Sequence, residues 1–176
     1  MAQRIGRDSS GVFIIAATPF TDNGEIDHDS LRRLVGFYAG HGVTGLTILG
    51  MMGEANKMTP EERRAVIDTV IDQAAGLPVI VGVSDAGMRN LTDLAAHAMD
   101  RGAAGVMAAP AAGPAREDRI EGYFRAVAQA LGPDVPMVFQ DFPLATGLPV
   151  SAALIRRLSS DLPQMVMLKH EDWPGL

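Results

Sequence analysis

Short apolar runs alternate with amphipathic segments along the whole chain. The apolar runs lie at about 11–16, 44–49, 78–83, 104–109, 135–139 and 164–169. Because most of them lack an alternation of apolar and polar residues, they are typical of strands that are buried on both faces. The segments between the runs carry apolar residues at the spacing of a helix, as at Leu31, Leu34, Val35 and Tyr38. Regular alternation of strands and helices indicates an α/β fold with a parallel sheet.

Two helix ends carry clear signals. Thr59, Pro60 and Glu62 occupy the N-cap, N1 and N3 positions of a predicted helix start. Gly132 is placed to end the helix before the fifth strand. The length of 176 residues suggests one domain, 1–176. Both a doubly wound open sheet and part of a (β/α)8 barrel, which needs about 250 residues when complete, fit the pattern.

Composition narrows the classes of function. The net charge of −6 disfavours a sequence-independent nucleic-acid surface, and the absence of cysteine excludes disulfides and thiolate metal sites. No apolar run reaches the roughly 20 residues of a membrane span. Arg4 and Arg7 precede a short apolar run that ends at Thr18-Pro19, which fits a first strand better than a signal peptide. We therefore expect a cytoplasmic protein that binds neither nucleic acid nor membrane.

Lys169 is the most informative candidate residue, because it closes the sixth apolar run. An amine at the carboxyl end of a barrel strand is where a Schiff-base enzyme holds its nucleophile. Since burial disfavours the charged ammonium form, a lysine at a barrel mouth is a better nucleophile than one in solvent. The alternative is a surface lysine that pairs with Glu171 or Asp172.

Four groups of residues together resemble one known family. They are Ala17-Thr18-Pro19-Phe20 with Gly24-Glu25-Ile26-Asp27, Gly50-Met51-Met52-Gly53-Glu54 with Met58 to Arg63, Pro143 with Thr146-Gly147, and Leu168-Lys169 with Glu171-Asp172. Their order and spacing resemble the dihydrodipicolinate synthase / N-acetylneuraminate lyase family of class I aldolase-type barrels. The resemblance implies a TIM (β/α)8 barrel of which this chain supplies about six units, as a single partial domain. It also implies a homo-oligomer, a dimer or a tetramer.

The resemblance implies roles for particular residues. Lys169 would be the Schiff-base nucleophile. The Gly50-Met51-Met52-Gly53 turn would bind the substrate carboxylate through its backbone N–H groups, although relatives carry two hydroxyl residues where Met51 and Met52 stand. Thr18 would belong to the same substrate site. The alternative for the turn is a connection in which the two methionines only fill space.

The chain departs from the family after the fifth strand. Gln140 stands where the family usually has a proton-shuttling tyrosine, and Ala145 stands where an arginine is expected. The tyrosine that relatives lend to a neighbouring subunit is missing from Pro110-Ala111-Ala112. Dihydrodipicolinate synthesis is therefore disfavoured. Gln140-Asp141 looks more like the branch that dehydrates 2-oxo-3-deoxy sugar acids.

Because Gln140 stands in the position of the proton-shuttling tyrosine, the proton transfers of the reaction need another group. The candidates are Glu54, Asp141, His170 and Glu171, and His170 would point to the opposite side of its strand from Lys169. We predict Lys169, Gln140 and Glu54 as catalytic residues. The predicted substrate-binding residues are Gly50, Met51, Met52, Gly53, Asp141 and Thr18.

The predicted function is a Schiff-base lyase, an aldolase or a dehydratase, that acts on a small 2-oxo acid such as pyruvate. No cofactor and no metal are expected, because His28, His41 and His97 have no metal-ligand spacing. One alternative is a catalytically impaired or truncated homologue that acts only as a structural partner. A nucleotide-binding module fits poorly, because Thr18-Pro19-Phe20-Thr21 follows the first strand in place of a glycine-rich phosphate loop.

Overall fold

The computed structural model describes residues 3–110 and 116–172 as strands that alternate with helices. The strands are β1 (Phe13–Ile15), β2 (Gly45–Ile48), β3 (Val79–Gly82), β4 (Gly105–Ala108), β5 (Met137–Asp141) and β6 (Met165–His170). The helices are α1 (His28–Gly40), α2 (Pro60–Gln73), α3 (Met88–Asp100), α4 (Glu117–Leu131), α5 (Pro143–Thr146) and α6 (Ala152–Asp161). A short 3₁₀ helix spans Ala55–Lys57. All six predicted strands are confirmed, although β5 continues to Asp141, past its predicted end at 139.

The order of the strands distinguishes the two candidate architectures. The six strands pair in the order in which they follow one another in the chain, and every pair is parallel. A doubly wound sheet reverses its strand order at a switch point, whereas a barrel does not. The sheet curls until β1 and β6 line one cavity. The barrel prediction, with six strand units, is therefore confirmed.

Apolar residues on the two faces of the sheet form two cores. The larger core lies between the outer face and the helices and includes Val81, Val106 and Phe139. A smaller core inside the curl contains Ile80, Met107 and Val138, and Ile5 from the N-terminal segment packs against it. Because side chains alternate along a strand, residues two positions apart share a face. Gln140 therefore continues the inner face of Val138, and Lys169 continues that of Met167.

The predicted helix ends are confirmed. Thr59 Oγ1 accepts a hydrogen bond from Glu62 N–H, and the Glu62 carboxylate accepts one from Thr59 N–H, which completes a capping box. Gly132 follows α4 with φ at 84°, a value that glycine adopts without strain. The four-residue helix α5 was not predicted, because one turn is too short to show a helical period.

A close backbone contact shapes the carboxyl end of β2. Leu49 follows this strand in the left-handed region, with φ at 54°. Its carbonyl oxygen lies so near β3 that a Cβ built on Gly82 would approach that oxygen to 2.1 Å. Gly82 therefore lets the chain leave β2 sideways and form the Gly50–Gly53 turn at the barrel mouth.

The register between β5 and β6 shifts by one residue near their amino ends. Met137 pairs with Met165, but Val138 pairs with Met167, so Val166 is the extra residue of a β-bulge. The shift brings Gln140 opposite Lys169 and Asp141 opposite His170. Without the shift, Gln140 would lie opposite Leu168. The bulge therefore determines which side chains meet at the mouth.

Candidate active site

A cavity of about 500 Å³ opens at the carboxyl ends of the strands, between β1 and β6. One wall is β1. The remaining lining includes Gly50, Met51, Met52, Gln140, Lys169 and Glu171. The structure therefore brings the predicted nucleophile, the predicted carboxylate-binding turn and the residue in the tyrosine position to one cavity. This end of a barrel is where loops after the strands build active sites.

Lys169, Gln140 and Glu171 form one hydrogen-bonded group in this cavity. The Glu171 carboxylate accepts a hydrogen bond from Gln140 Nε2 at 2.9 Å, and the same oxygen pairs with the Lys169 ammonium. The Lys169 side chain is only 19% exposed, and Gln140 is 2% exposed. The predicted pairing of Lys169 with Glu171 is present, but it lies inside the cavity and not on the outer surface.

The Gly50–Gly53 turn is held by its own backbone and by Thr18. Gly53 N–H donates to Gly50 O at 3.1 Å, and Thr18 Oγ1 donates to Gly53 O at 2.8 Å. Thr18 therefore supports the turn from behind. The amides of Met51 and Met52 form no hydrogen bond with the residues that the structure describes. Their side chains are 44% and 54% exposed at the mouth.

Glu54 lies apart from this group. It adopts a left-handed conformation with φ at 56°, and its carboxylate pairs with Lys57 one turn later. It does not line the cavity that contains Lys169. Its predicted catalytic role stays a prediction, and no contact with Lys169 or Gln140 supports it.

Asp141 and His170 form a second pair, on the other face of the same two strand ends. Asp141 Oδ2 lies 2.8 Å from His170 Nδ1, and Asp141 is 2% exposed. The other carboxylate oxygen, Oδ1, is buried and has no hydrogen-bond partner among the residues that the structure describes. Because Asp141 does not line the cavity, its predicted contact with substrate stays a prediction. His170 faces away from Lys169, as predicted.

A smaller cavity of about 330 Å³ adjoins the first and shares Gly50, Met51 and Gln140 with it. Arg63 and Asp85 form an ion pair of 3.0 Å in its wall. Burial opposes the charge of Asp85, but hydrogen bonds from Gly87 N–H, Asn90 and Arg63 hold its pKa below the usual value. Sequence reasoning missed this pair, because the two residues lie on different elements without a motif.

The predicted histidines His28 and His97 do not line the cavity that contains Lys169. His28 contacts Thr69 and His97 contacts Asp68, each at 2.8 Å, so both have structural partners. In residues 3–110 and 116–172, no three His, Cys, Asp or Glu side chains form a group that could hold a metal ion. No helix within those ranges is long and apolar enough to cross a membrane. The prediction for Ala111 and Ala112 lies outside the described residues.

Comparisons with known proteins agree with this geometry. The model of the dihydrodipicolinate synthetase family matches residues 8–171. A 4-hydroxy-tetrahydrodipicolinate synthase from Thermus thermophilus is 35% identical over 155 residues, which cover 87% of this chain and 51% of that protein. The structure of a dihydrodipicolinate synthase from Rhodopseudomonas palustris is similar with a TM-score of 0.95 and 44% identity, and the match covers 99% of this chain and 58% of that one.

A third relative was solved with a ligand. It is an E. coli K12 prophage protein of the dihydrodipicolinic acid synthase family in complex with pyruvate, with a TM-score of 0.83 and 28% identity. The match covers 90% of this chain and 54% of that chain. The chain thus spans about half the length of the curated relatives it matches.

Proposed function

Because the chain belongs to the dihydrodipicolinate synthetase family, we propose that it supplies the Schiff-base site of a lyase that acts on a 2-oxo acid. The observation that carries the proposal is the shared contact of Lys169 and Gln140 with the Glu171 carboxylate inside the cavity. It supplies a nucleophile, a hydrogen-bond donor and a base within one site. The pyruvate complex of the E. coli relative supports this class of substrate.

Substrate binding would begin at the Gly50–Gly53 turn. The Met51 and Met52 amides are free to donate hydrogen bonds to a carboxylate, and two adjacent N–H groups suit its two oxygens. A 2-oxo acid held there by its carboxylate would direct its ketone into the cavity that Lys169 lines. The exposed methionine side chains would then contact the substrate from its apolar side.

Glu171 is suited to the proton transfers of imine formation. It accepts a proton from the Lys169 ammonium, which leaves a neutral amine to attack the ketone carbon. The same proton can return to the carbinolamine hydroxyl, which leaves as water and gives the iminium ion. The Gln140 amide fixes the carboxylate through both steps, because it donates to the same oxygen.

The next step removes a proton from the carbon beside the iminium carbon. Glu171 is the carboxylate of the cavity that lies beside Lys169 Nζ, so it can take this proton and leave an enamine. Loss of the hydroxyl on the following carbon as water, with the proton that Glu171 has taken, gives a dehydrated iminium ion, whereas attack by the enamine on an aldehyde, whose oxygen takes that proton, gives an aldol adduct. Hydrolysis of the iminium ion then releases the product and restores the Lys169 amine. In this proposal Glu171 performs the proton transfers that a tyrosine performs in relatives.

The residues favour dehydration of a 2-oxo-3-deoxy sugar acid over dihydrodipicolinate synthesis. Gln140 occupies the position of the shuttle tyrosine, and Ala145 in α5 cannot form the ionic contacts of an arginine. The curated relatives bear the name of the synthase. We base the preference for a dehydratase on these two departures. The expected cytoplasmic location and homo-oligomeric state stay predictions.

A structural-partner role is the second candidate, and the replacement of the expected tyrosine and arginine by Gln140 and Ala145 favours it. The two candidates differ in a simple assay. Schiff-base chemistry exchanges the methyl protons of pyruvate for deuterium in D₂O, which proton NMR measures directly. We expect exchange by the chain, loss of exchange in Lys169→Met, and no change in Lys57→Arg, which replaces the only other lysine. If the intact, folded chain exchanges the methyl protons of pyruvate no faster than the uncatalysed background, the result supports the structural role.

A further inference from the structure

We propose that Asp141 and His170 form a positioning pair that holds Lys169 and Glu171 at Gln140. The pair lies on the outer face of β5 and β6, one residue beyond the rung in which Gln140 is opposite Lys169. It touches neither the cavity nor any reacting atom in the proposed reaction. The expected effect of the pair on catalysis rests on the proposed function, but its expected effect on the placement of Lys169 and Glu171 does not.

The strand register decides whether Asp141 and His170 meet. The bulge at Val166 shifts β6 by one residue relative to β5, and only the shifted register brings His170 opposite Asp141. In the unshifted register, Asp141 would lie opposite Lys169, and the opposite charges of these residues would favour that pairing. A register slip of one residue also moves side chains to the other face of the sheet. The Asp141–His170 hydrogen bond therefore selects the register that directs Lys169 into the cavity.

The burial of Asp141 is unfavourable for a carboxylate. Asp141 is 2% exposed, and within residues 3–110 and 116–172 its Oδ1 has no hydrogen-bond partner. An apolar side chain at such a buried position would stabilise the folded state more than the carboxylate does. In the part of the chain that the structure describes, the hydrogen bond of this carboxylate goes to His170. Asp141 is therefore suited to orient His170 and poorly suited to add stability.

The end of β6 depends on β5 for its position in the sheet. Within the described ranges β6 pairs with β5 alone, and its residues are less buried than those of β2 to β5. A strand with one neighbour depends on that neighbour for the placement of its end. Asp141 makes two hydrogen bonds at the end of β6. Its carboxylate pairs with His170, and its carbonyl oxygen accepts a hydrogen bond from Glu171 N–H at 2.7 Å. Both Lys169 and Glu171 are thereby tied to the end of β5.

Lys57 provides an internal reference for a test that needs no substrate. The chain has two lysines, so the ratio of acetylation at Lys169 to acetylation at Lys57 by acetic anhydride reports the protection of Lys169 within one molecule. We expect this ratio to rise about fivefold or more in His170→Ala and in Asp141→Leu, because the end of β6 opens locally. His170→Asn keeps a side-chain N–H that can donate to Asp141, and its ratio should stay within about twofold of the original.

Two comparisons separate positioning from general stability. His97→Ala removes another histidine–aspartate contact of 2.8 Å, between α3 and α2, and should leave the ratio unchanged. Asp141→Leu should keep or raise the melting temperature while the ratio rises, since it removes a buried carboxylate. An unchanged ratio in both His170→Ala and Asp141→Leu overturns the proposal. So does an equal rise in His170→Asn and His170→Ala.

A measurement on the unaltered chain covers the case in which variants do not fold. The contact requires a proton on Nδ1 of His170, and ¹⁵N NMR of the imidazole distinguishes this tautomer. A bare Nδ1 contradicts the proposal. If the unaltered chain forms no imine with any 2-oxo acid, the proposed function fails, whereas the labelling ratio and the tautomer still decide the positioning role.

Discussion

Gln140 on β5 and Lys169 on β6 are direct partners in the parallel ladder, and both contact the same Glu171 oxygen. An amide therefore stands where the family resemblance predicts a phenol, while a carboxylate lies within hydrogen-bonding distance of both groups. In the proposed reaction Gln140 orients Glu171, and Glu171 carries the proton.

Replacement of Glu171 by Gln tests this separation. A neutral amide cannot accept a proton, so we expect deuterium exchange at pyruvate C3 to fall by roughly 10²-fold or more. Trapping of an imine at Lys169 should persist, although more slowly. Glu61→Gln, an exposed change in the first turn of α2, is the matched control and should alter neither readout. Full exchange in Glu171→Gln would mean that another group carries the proton.

The contact between Leu49 and Gly82 predicts a difference between two glycine substitutions. Gly82→Ala would place a Cβ at 2.1 Å from Leu49 O, so the turn must move, and we expect a loss of about 1–3 kcal/mol or more in the free energy of unfolding. Gly36→Ala in α1 meets no atom within 4 Å and should stabilise the helix by about 0.5–1 kcal/mol. Denaturant unfolding of the two variants measures both effects. Equal stability of the variants contradicts the account of the turn.

Tyr123 should lower stability at alkaline pH. Burial, together with the nearby charge of Asp85, raises its pKa to about 12. Since the folded state keeps the phenol protonated, the contribution is fully present below pH 10, the usual tyrosine pKa, and is lost as pH rises toward 12. The loss is about 3 kcal/mol by linkage, and Tyr123→Phe should remove it.

Absorbance of the tyrosinate provides the direct check on that prediction. The chain has two tyrosines, so in Tyr38→Phe the remaining signal belongs to Tyr123. We expect that signal to titrate with a midpoint near pH 12 while the chain stays folded. A midpoint near pH 10 would show that the phenol is open to solvent.

Much of the fold could be predicted from the hydrophobic periodicity of the sequence, and the candidate site could be predicted from the family resemblance. Buried apolar runs predicted all six strands, and Thr59 with Glu62 predicted the start of α2, because these signals are local. The pairing of Asp141 with His170 could not be predicted, since it depends on the one-residue shift at Val166. Bulges leave little trace in sequence, yet they decide which side chains meet.

The sequence offers four acidic or imidazole candidates for proton transfer, Glu54, Asp141, His170 and Glu171, and it does not show which of them lies beside Lys169. The left-handed backbone at Glu54 directs that side chain to Lys57 instead. Backbone conformation of a non-glycine residue is not visible in a single sequence, so the different placement of the two glutamates could not be predicted.

Borohydride reduction in the presence of pyruvate is the most direct test of the central claim, that Lys169 forms an imine in this cavity. Mass spectrometry of peptides can locate the adduct, because Lys57 is the only alternative lysine. The account predicts a pyruvate-derived adduct on the peptide that contains Lys169 and none on the peptide that contains Lys57. An adduct confined to Lys57, or none with pyruvate or a 2-oxo-3-deoxy sugar acid, would contradict it.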